Sequence, residues 1–334
     1  MTGKTAKIVR FHKTGDASVL KLEDLPVQVP VGDEIRIAVE AIGLNRAEVM
    51  FREGQYLESP EFPSKLGYEA SGVIEAVGPD VSDFTVGDRV STIPAFSMGK
   101  YGVYGERVIV PARAAAKYPA RLSAVEGASI WMQYITAFGG LIEVGKLAQG
   151  MTVVITAASS SVGLAAIQIA KMLGAIVIAT TRGKDKRQFL LDAGADHVIV
   201  SKDEDLVKRV MDITSGQGAN VFFDPVGGPL LETLALAAAP RAIMIEYGAL
   251  STSPTPFPLF TALAKGLTIR GYTLFELTQD NKLLERAKSF VYEGLDSGVL
   301  KPVIDRTFAF SDIAEAHRYM ESNQQKGKIV VSVP

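Results

Sequence analysis

The chain has 334 residues, 47% of them hydrophobic and 22% charged, with 31 Gly, 16 Pro and no Cys. That size and balance predict about two globular domains and argue against wholesale disorder. A formal net charge of −2 gives nothing to draw the protein to nucleic acid or an anionic membrane, and the missing Cys excludes disulfides, thiolate metal sites and Cys catalysis.

In chain order, Met1–Arg10 carries charges but no apolar stretch of signal-peptide length, and no window approaches ~18 uninterrupted apolar residues. A cytoplasmic protein that engages no membrane is expected. The first third reads as β-rich. Strands are predicted over Ile35–Ala41, Gly67–Val77 and Asp88–Ile93, separated by turns such as Gly78-Pro79-Asp80. Short strands with Gly and Pro punctuation suggest an antiparallel, barrel-like domain.

Near residue 125 the pattern changes. A helix is predicted over Val125–Glu143, then strand and helix alternate. The strands are Thr152–Thr156, Ile176–Thr181, His197–Val200, Val221–Asp224, Ala242–Tyr247 and Leu267–Gly271. The helices are Ser161–Leu173, Lys184–Ala193, Leu206–Thr214 and Pro229–Ala238. This alternation argues for an α/β doubly wound parallel sheet. Helices are expected again over Thr278–Ser297 and Ile313–Ser322, with a final strand at Lys328–Val333 in a tail that returns to the first domain.

Between the first of these strands and its helix stands Thr156-Ala157-Ala158-Ser159-Ser160-Ser161-Val162-Gly163. This is where a dinucleotide fold aims a helix N-terminus at a pyrophosphate. Ala158 and Ser160 replace the first two glycines of G-x-G-x-x-G, and Gly163 keeps the third. Small side chains still admit the phosphates, and the hydroxyls of Ser159, Ser160 and Ser161 add donors. The alternative is an ordinary strand-to-helix turn capped by Ser. At the end of the second strand, Thr180-Thr181-Arg182-Gly183-Lys184-Asp185-Lys186-Arg187 carries no acid for a ribose 2′-hydroxyl but four basic residues. Arg182 and Lys186 fit a 2′-phosphate, so NADPH is expected over NADH; a solvated basic helix start is the alternative.

Seven segments in order resemble one family. They are Gly43-Leu44-Asn45-Arg46-Ala47-Glu48 with Arg52-Glu53-Gly54-Gln55-Tyr56, then Gly67-Tyr68-Glu69-Ala70-Ser71-Gly72-Val73 and Val86-Gly87-Asp88-Arg89-Val90. The Ala157–Gly163 turn, Asp192-Ala193-Gly194-Ala195-Asp196, Phe223-Asp224-Pro225-Val226-Gly227-Gly228 and Lys326-Gly327-Lys328-Ile329-Val330-Val331 follow. Together they resemble the zinc-independent quinone oxidoreductases of the medium-chain dehydrogenase/reductase superfamily. The resemblance implies a GroES-like β-rich catalytic domain over residues 1–126 and 272–334. A Rossmann NADPH-binding domain over 127–271 lies between, with the active site in the cleft.

The positions matching the zinc ligands of metal-dependent relatives carry Asn45, Tyr68 and Met132, which are poor ligands. The three histidines, His12, His197 and His317, are far apart and expected at the surface or in packing. Without a metal, hydride addition to a quinone or an α,β-unsaturated carbonyl is the expected chemistry, since donors can stabilise the delocalised charge. The resemblance implies Asn45, Tyr56 and Thr136 as catalytic residues. Asn45 would bond the ribose or substrate, Thr136 would lie near the nicotinamide, and Tyr56 would donate to an enolate oxygen. An ordinary turn Asn, helix Thr and core Tyr are the alternatives. Cofactor contacts are expected from Ser159, Ser160, Ser161, Val162, Gly163, Thr181, Arg182, Lys186, Asp224, Gly248, Ala249, Leu250 and Lys328. Phe51, Phe96, Met98 and Trp131 are core or pocket wall.

Glu246 stands where a neutral residue is expected. An enoyl-thioester reductase is the close alternative, and a non-catalytic NADPH-binding protein the alternative from another class. A homodimer is expected, through edge strands near Ala242–Tyr247 and Leu267–Gly271.

Overall fold

The structure is a computed structural model in which residues 4–334 are described; Met1–Gly3, the start of the charged N-terminal segment read above, lie outside them. Two compact units form. One runs to Met132 and resumes at Pro302–Pro334; the other is Gln133–Lys301.

The first unit is built on Glu34–Gly43, whose alternation buries Ile35, Ile37, Val39 and Ala41 on one face. This long strand pairs with Glu69–Val77 along one edge. Its other edge is shared by Arg107–Pro111 at the start and Lys328–Ser332 at the end. Arg89–Thr92 and Ala115–Lys117 extend the sheet one way, and Ile304–Ala309 the other. A separate ribbon pairs Thr5–Arg10 with Lys21–Pro26.

The second unit holds a six-stranded sheet in which every neighbouring pair is parallel. In spatial order the strands are His197–Val200, Ile176–Thr181, Thr152–Ile155, Ala219–Asp224, Ala238–Glu246 and Thr268–Gly271. In chain order they are the third, second, first, fourth, fifth and sixth. The order reverses between first and fourth, which opens a crevice at their carboxyl ends. Helices cover the sheet, so Thr152–Ile155 is buried throughout and reads as a continuous apolar run. Val154, Ile178, Phe222 and Met244 pack with Leu231 and Leu234 in its core.

A doubly wound sheet in one unit and a β-rich sheet in the other are the expected α/β architecture. Several boundaries differ. The helix expected over Val125–Glu143 is three pieces: Ala124–Gly127, Trp131–Phe138 and a π-helical turn, Gly139–Val144. Ser123 caps the first piece, and its end at Gly127 starts a non-helical link. The helix expected from Thr278 begins at Asn281, because Asp280 accepts the backbone N–H groups of Lys282 and Leu283. Residues 272–301, grouped above with the N-terminal segment, pack in the second unit. The rings of Phe138 and Phe290 lie 5.1 Å apart, and Arg286 pairs with Glu143 at 2.8 Å. Only residues 302–334 return to the first unit. The strand near Ala242–Tyr247 is interior, leaving Thr268–Gly271 as the edge on that side.

Candidate active site

The phosphate turn is locally determined. Ser160 caps the helix Ser161–Met172, its hydroxyl accepting from the Gly163 N–H at 3.0 Å. A Cβ on Gly163 would sit 2.6 Å from the Ala158 carbonyl oxygen, so only glycine lets the helix start this close to the turn. Ala157, one residue before the first replaced glycine, holds φ +45, a left-handed conformation that costs an L-residue roughly 1–3 kcal/mol. The helix N-terminus that results, with Ser161 and Val162 partly exposed in its first turn, offers donors and a positive dipole end to an anion.

At the end of the second strand the four basic residues separate into distinct roles. Lys184 pairs with Asp203 at 3.5 Å and Arg187 with Glu204 at 3.0 Å, both at the surface. Lys186 turns inward, 9% exposed, and donates to Ser159 Oγ at 3.0 Å. Arg182 is exposed and makes no hydrogen bond or ion pair among the described residues. The buried Thr181 is the last residue of the second strand, directly before them. One inward cation at the phosphate turn and one open cation beside it, with no acid at the strand end, fit a phosphorylated ribose.

Asp224 ends the fourth strand fully buried. It accepts from the Thr156 hydroxyl and from the N–H groups of Val226 (3.0 Å) and Gly227 (2.9 Å). Its oxygens therefore organise the turns around the crevice. Gly248, Ala249 and Leu250 follow the fifth strand, exposed or partly so, and the Leu250 N–H donates to the Pro225 carbonyl at 2.9 Å. Thr136 is 6% exposed on the helix Trp131–Phe138.

In the first unit, Asn45, Glu48, Glu69 and Lys328 form a cluster sealed from solvent; only Asn45, at 8%, retains noticeable exposure. The Lys328 ammonium donates to Asn45 Oδ1 at 2.6 Å and to Glu69. Asn45 Nδ2 donates to the Gly43 carbonyl and Glu48 Oε1, both at 3.2 Å, while its backbone N–H donates to the other Glu48 oxygen. The Tyr68 N–H donates to Glu48 and the Met132 N–H to Glu69, each at 3.1 Å. Burial pushes the Glu48 carboxyl up to about 7, against the pull of Lys328 and these donors.

Tyr56 lies against Tyr68, ring centroids 6.4 Å apart. Burial pushes its phenol up to about 12, so it is a proton holder and donor at neutral pH. Phe51, Phe96, Met98 and Trp131 are buried core, with Trp131 Nε1 donating to Ser91 Oγ at 2.8 Å. An amide, a phenol and a thioether are a poor donor set for zinc, and the nearby carboxylates are taken by Lys328 and backbone donors. Among the described residues no group of three or more His, Asp or Glu is arranged to hold a metal. His317 is fully buried, its Nδ1 3.1 Å from Arg52 and its Nε2 3.3 Å from the Tyr104 hydroxyl. His12 pairs with Glu23 at 2.6 Å.

The structure thus gathers Asn45, Lys328 and, through Tyr68, Tyr56 in one unit. It gathers Ser159–Gly163, Thr181, Arg182, Lys186, Asp224 and Gly248–Leu250 along the crevice side of the other. Glu48 and Glu69 were missed. The carboxylate three residues after Asn45 is a helix-start signal that a closer look at spacing would find. The meeting of Glu69 with Lys328 has no local signature.

Residues 32–120 match the family model of the alcohol dehydrogenase GroES-like domain, and residues 161–289 that of the zinc-binding dehydrogenases. The quinone oxidoreductase of Pseudomonas aeruginosa is 30% identical over 327 residues, covering 98% of this chain and 99% of its own. A 2-haloacrylate reductase of Burkholderia is 30% identical over 327 residues, covering 96% of this chain and 97% of its own. Among solved structures, the Escherichia coli quinone oxidoreductase complexed with NADPH superposes with a TM-score of 0.92 at 30% identity, covering 98% of this chain and all of that one.

Proposed function

Because the chain belongs to the quinone oxidoreductase-like family of the medium-chain dehydrogenase/reductase superfamily, we propose that it is a metal-independent, NADPH-dependent reductase of quinones or α,β-unsaturated carbonyls. The observation that carries this is the pair of cations past the second strand: Lys186 turned onto the phosphate turn and Arg182 left open beside it.

NADPH supplies the hydride when bound. The protein's share is positioning and electrostatics. The start of the helix Ser161–Met172, with Ser159, Ser160, Ser161, Val162 and Gly163, holds the pyrophosphate. Arg182, Lys186 and Thr181 hold the ribose 2′-phosphate. Asp224 sets the turns, and Gly248, Ala249, Leu250 and Thr136 border the nicotinamide. Asn45, held from several sides, presents its amide beside the cofactor, and Lys328 contributes a fixed positive charge. Tyr56 keeps its proton at neutral pH and donates it to the oxygen that gains charge. A substrate with a conjugated carbonyl spreads that charge, which suits donors in place of a metal; the haloacrylate reductase among the relatives favours retaining the enone class beside the quinones.

Purified protein mixed with NADPH and a panel of quinones, enones and enoyl thioesters, followed at the cofactor's absorbance, tests this. Oxidation confined to enoyl thioesters would establish the reductase alternative. Tight NADPH binding with no oxidation above background would make it a binding protein.

A homodimer through the edge strand Thr268–Gly271 accompanies this proposal. The strand has one sheet neighbour, and the preceding segment exposes Phe257 (60%), Phe260 (84%) and Leu263 (71%). Light scattering of wild type and Phe260→Asp checks it: the variant should be monomeric.

A further inference from the structure

Glu246 is the last residue of the fifth strand of the parallel sheet, in register with Asp224 on one side and Gly271 on the other. Both carboxyl oxygens are inaccessible to solvent and neither accepts a hydrogen bond from an N–H or O–H donor among the described residues. A buried carboxylate without donors is costly, so it is either kept protonated or met by a cation that a ligand brings. Asp224 is the charged group facing it, its own oxygens occupied by Thr156, Val226 and Gly227; Tyr247 is the adjacent titratable group, and Gly271 brings no charge. Burial, then the Asp224 charge and the hydrogen bond that the protonated acid gives Asp224, pushes Glu246 up to about 8. Gly227 lies over the carboxyl with no side chain; a Cβ there would be 3.9 Å from Glu246 Oε2.

Position in the sheet says which ligand group comes near. The phosphate turn follows the first strand and the basic residues follow the second. The other half of a dinucleotide therefore lies over the carboxyl ends of the fourth and fifth strands. Resting on the nicotinamide cofactor proposed above, we propose that Glu246 sets the preference between the two oxidation states of the cofactor: as a neutral acid it accepts the uncharged reduced ring, and as a carboxylate it serves as counter-ion to the cationic oxidised ring. Binding of the oxidised form then displaces a proton from Glu246, and binding of the reduced form does not.

The test measures dissociation constants of NADP⁺ and NADPH, by calorimetry, for the wild type and Glu246→Gln between pH 6.5 and 9.5. The 2′-phosphate is common to both nucleotides, so its titration cancels in the ratio. In the wild type the ratio of the NADP⁺ to the NADPH constant should fall by about tenfold as pH rises. Near pH 8, calorimetry in buffers of different ionisation enthalpy should show proton release with NADP⁺ only. Glu246→Gln should give a flat ratio near the wild-type value at pH 6.5, with no release. A flat ratio in the wild type, or an unchanged slope in Glu246→Gln, overturns the role of Glu246 while leaving cofactor use intact. A wild type that binds neither nucleotide refutes cofactor use itself, and this role with it.

Discussion

Lys328 Nζ lies 2.6 Å from Asn45 Oδ1, although 283 residues separate the two in the chain. The same ammonium bonds Glu69, and Asn45 bonds Glu48, so one buried cation faces two buried carboxyl groups. Removing it leaves charge in the interior with no opposite partner, and that penalty exceeds the worth of the pair itself.

Lys328→Met should therefore destabilise the protein by about 3–5 kcal/mol in urea unfolding. Adding Glu69→Gln should recover much of the loss, since the second substitution removes the stranded charge. A single variant within ~1 kcal/mol of wild type would contradict this account.

Lys186→Ala and Arg182→Ala should each weaken NADPH binding by about 10- to 100-fold, as expected for a lost charge-assisted contact, while NADH binding changes little. Titration of both cofactors against both variants is the measurement. Equal losses for the two cofactors would refute the 2′-phosphate assignment.

Gly163→Ala should abolish nucleotide binding and cost about 1–3 kcal/mol or more, because its Cβ would meet the Ala158 backbone at 2.6 Å and push the helix start off the turn. Ser160→Ala, which removes only the cap, should cost about 1 kcal/mol. Comparable stabilities for the two variants would show that the close approach at Gly163 is not the constraint.

Two buried groups give opposite pH trends. Burial, with the Arg52 charge, lowers His317 to about 3 from its ordinary 6.5, so between those values the unfolded chain binds more protons. Stability from this group is complete above about pH 6.5 and falls as pH drops toward 3. Glu48 is raised to about 7 from 4.5, so the folded chain holds the extra proton, and stability falls as pH rises between those values. In unfolding measured across pH, His317→Gln should flatten the acid limb relative to wild type and Glu48→Gln the limb from 4.5 to 7. Variant curves parallel to wild type would disprove both.

The parallel sheet was legible because each of its strands is short, apolar and set off by Gly, Ser or Asp at a turn. Ile176–Thr181 and His197–Val200 have the expected bounds for that reason. Strands in the first unit such as Arg107–Pro111 and Ile304–Ala309 are not legible in the sequence, since five or six residues are too few for a clear period, and the second of them is also largely unburied. The helix Leu259–Lys265 was unseen too, having no buried face to write an amphipathic pattern.

By itself the sequence determined the local features: the strand-turn-helix around Gly163, the basic run after Thr181, the missing Cys, and the alternation that makes a doubly wound sheet. Each depends on neighbours a few residues apart, where propensity and periodicity act. Only the tertiary structure decided which basic residue turns inward, that residues 272–301 pack on the parallel-sheet unit, and that Lys328 meets Asn45 and Glu69. Those outcomes rest on contacts between distant segments, whose energies come from burial and charge pairing that no local pattern encodes.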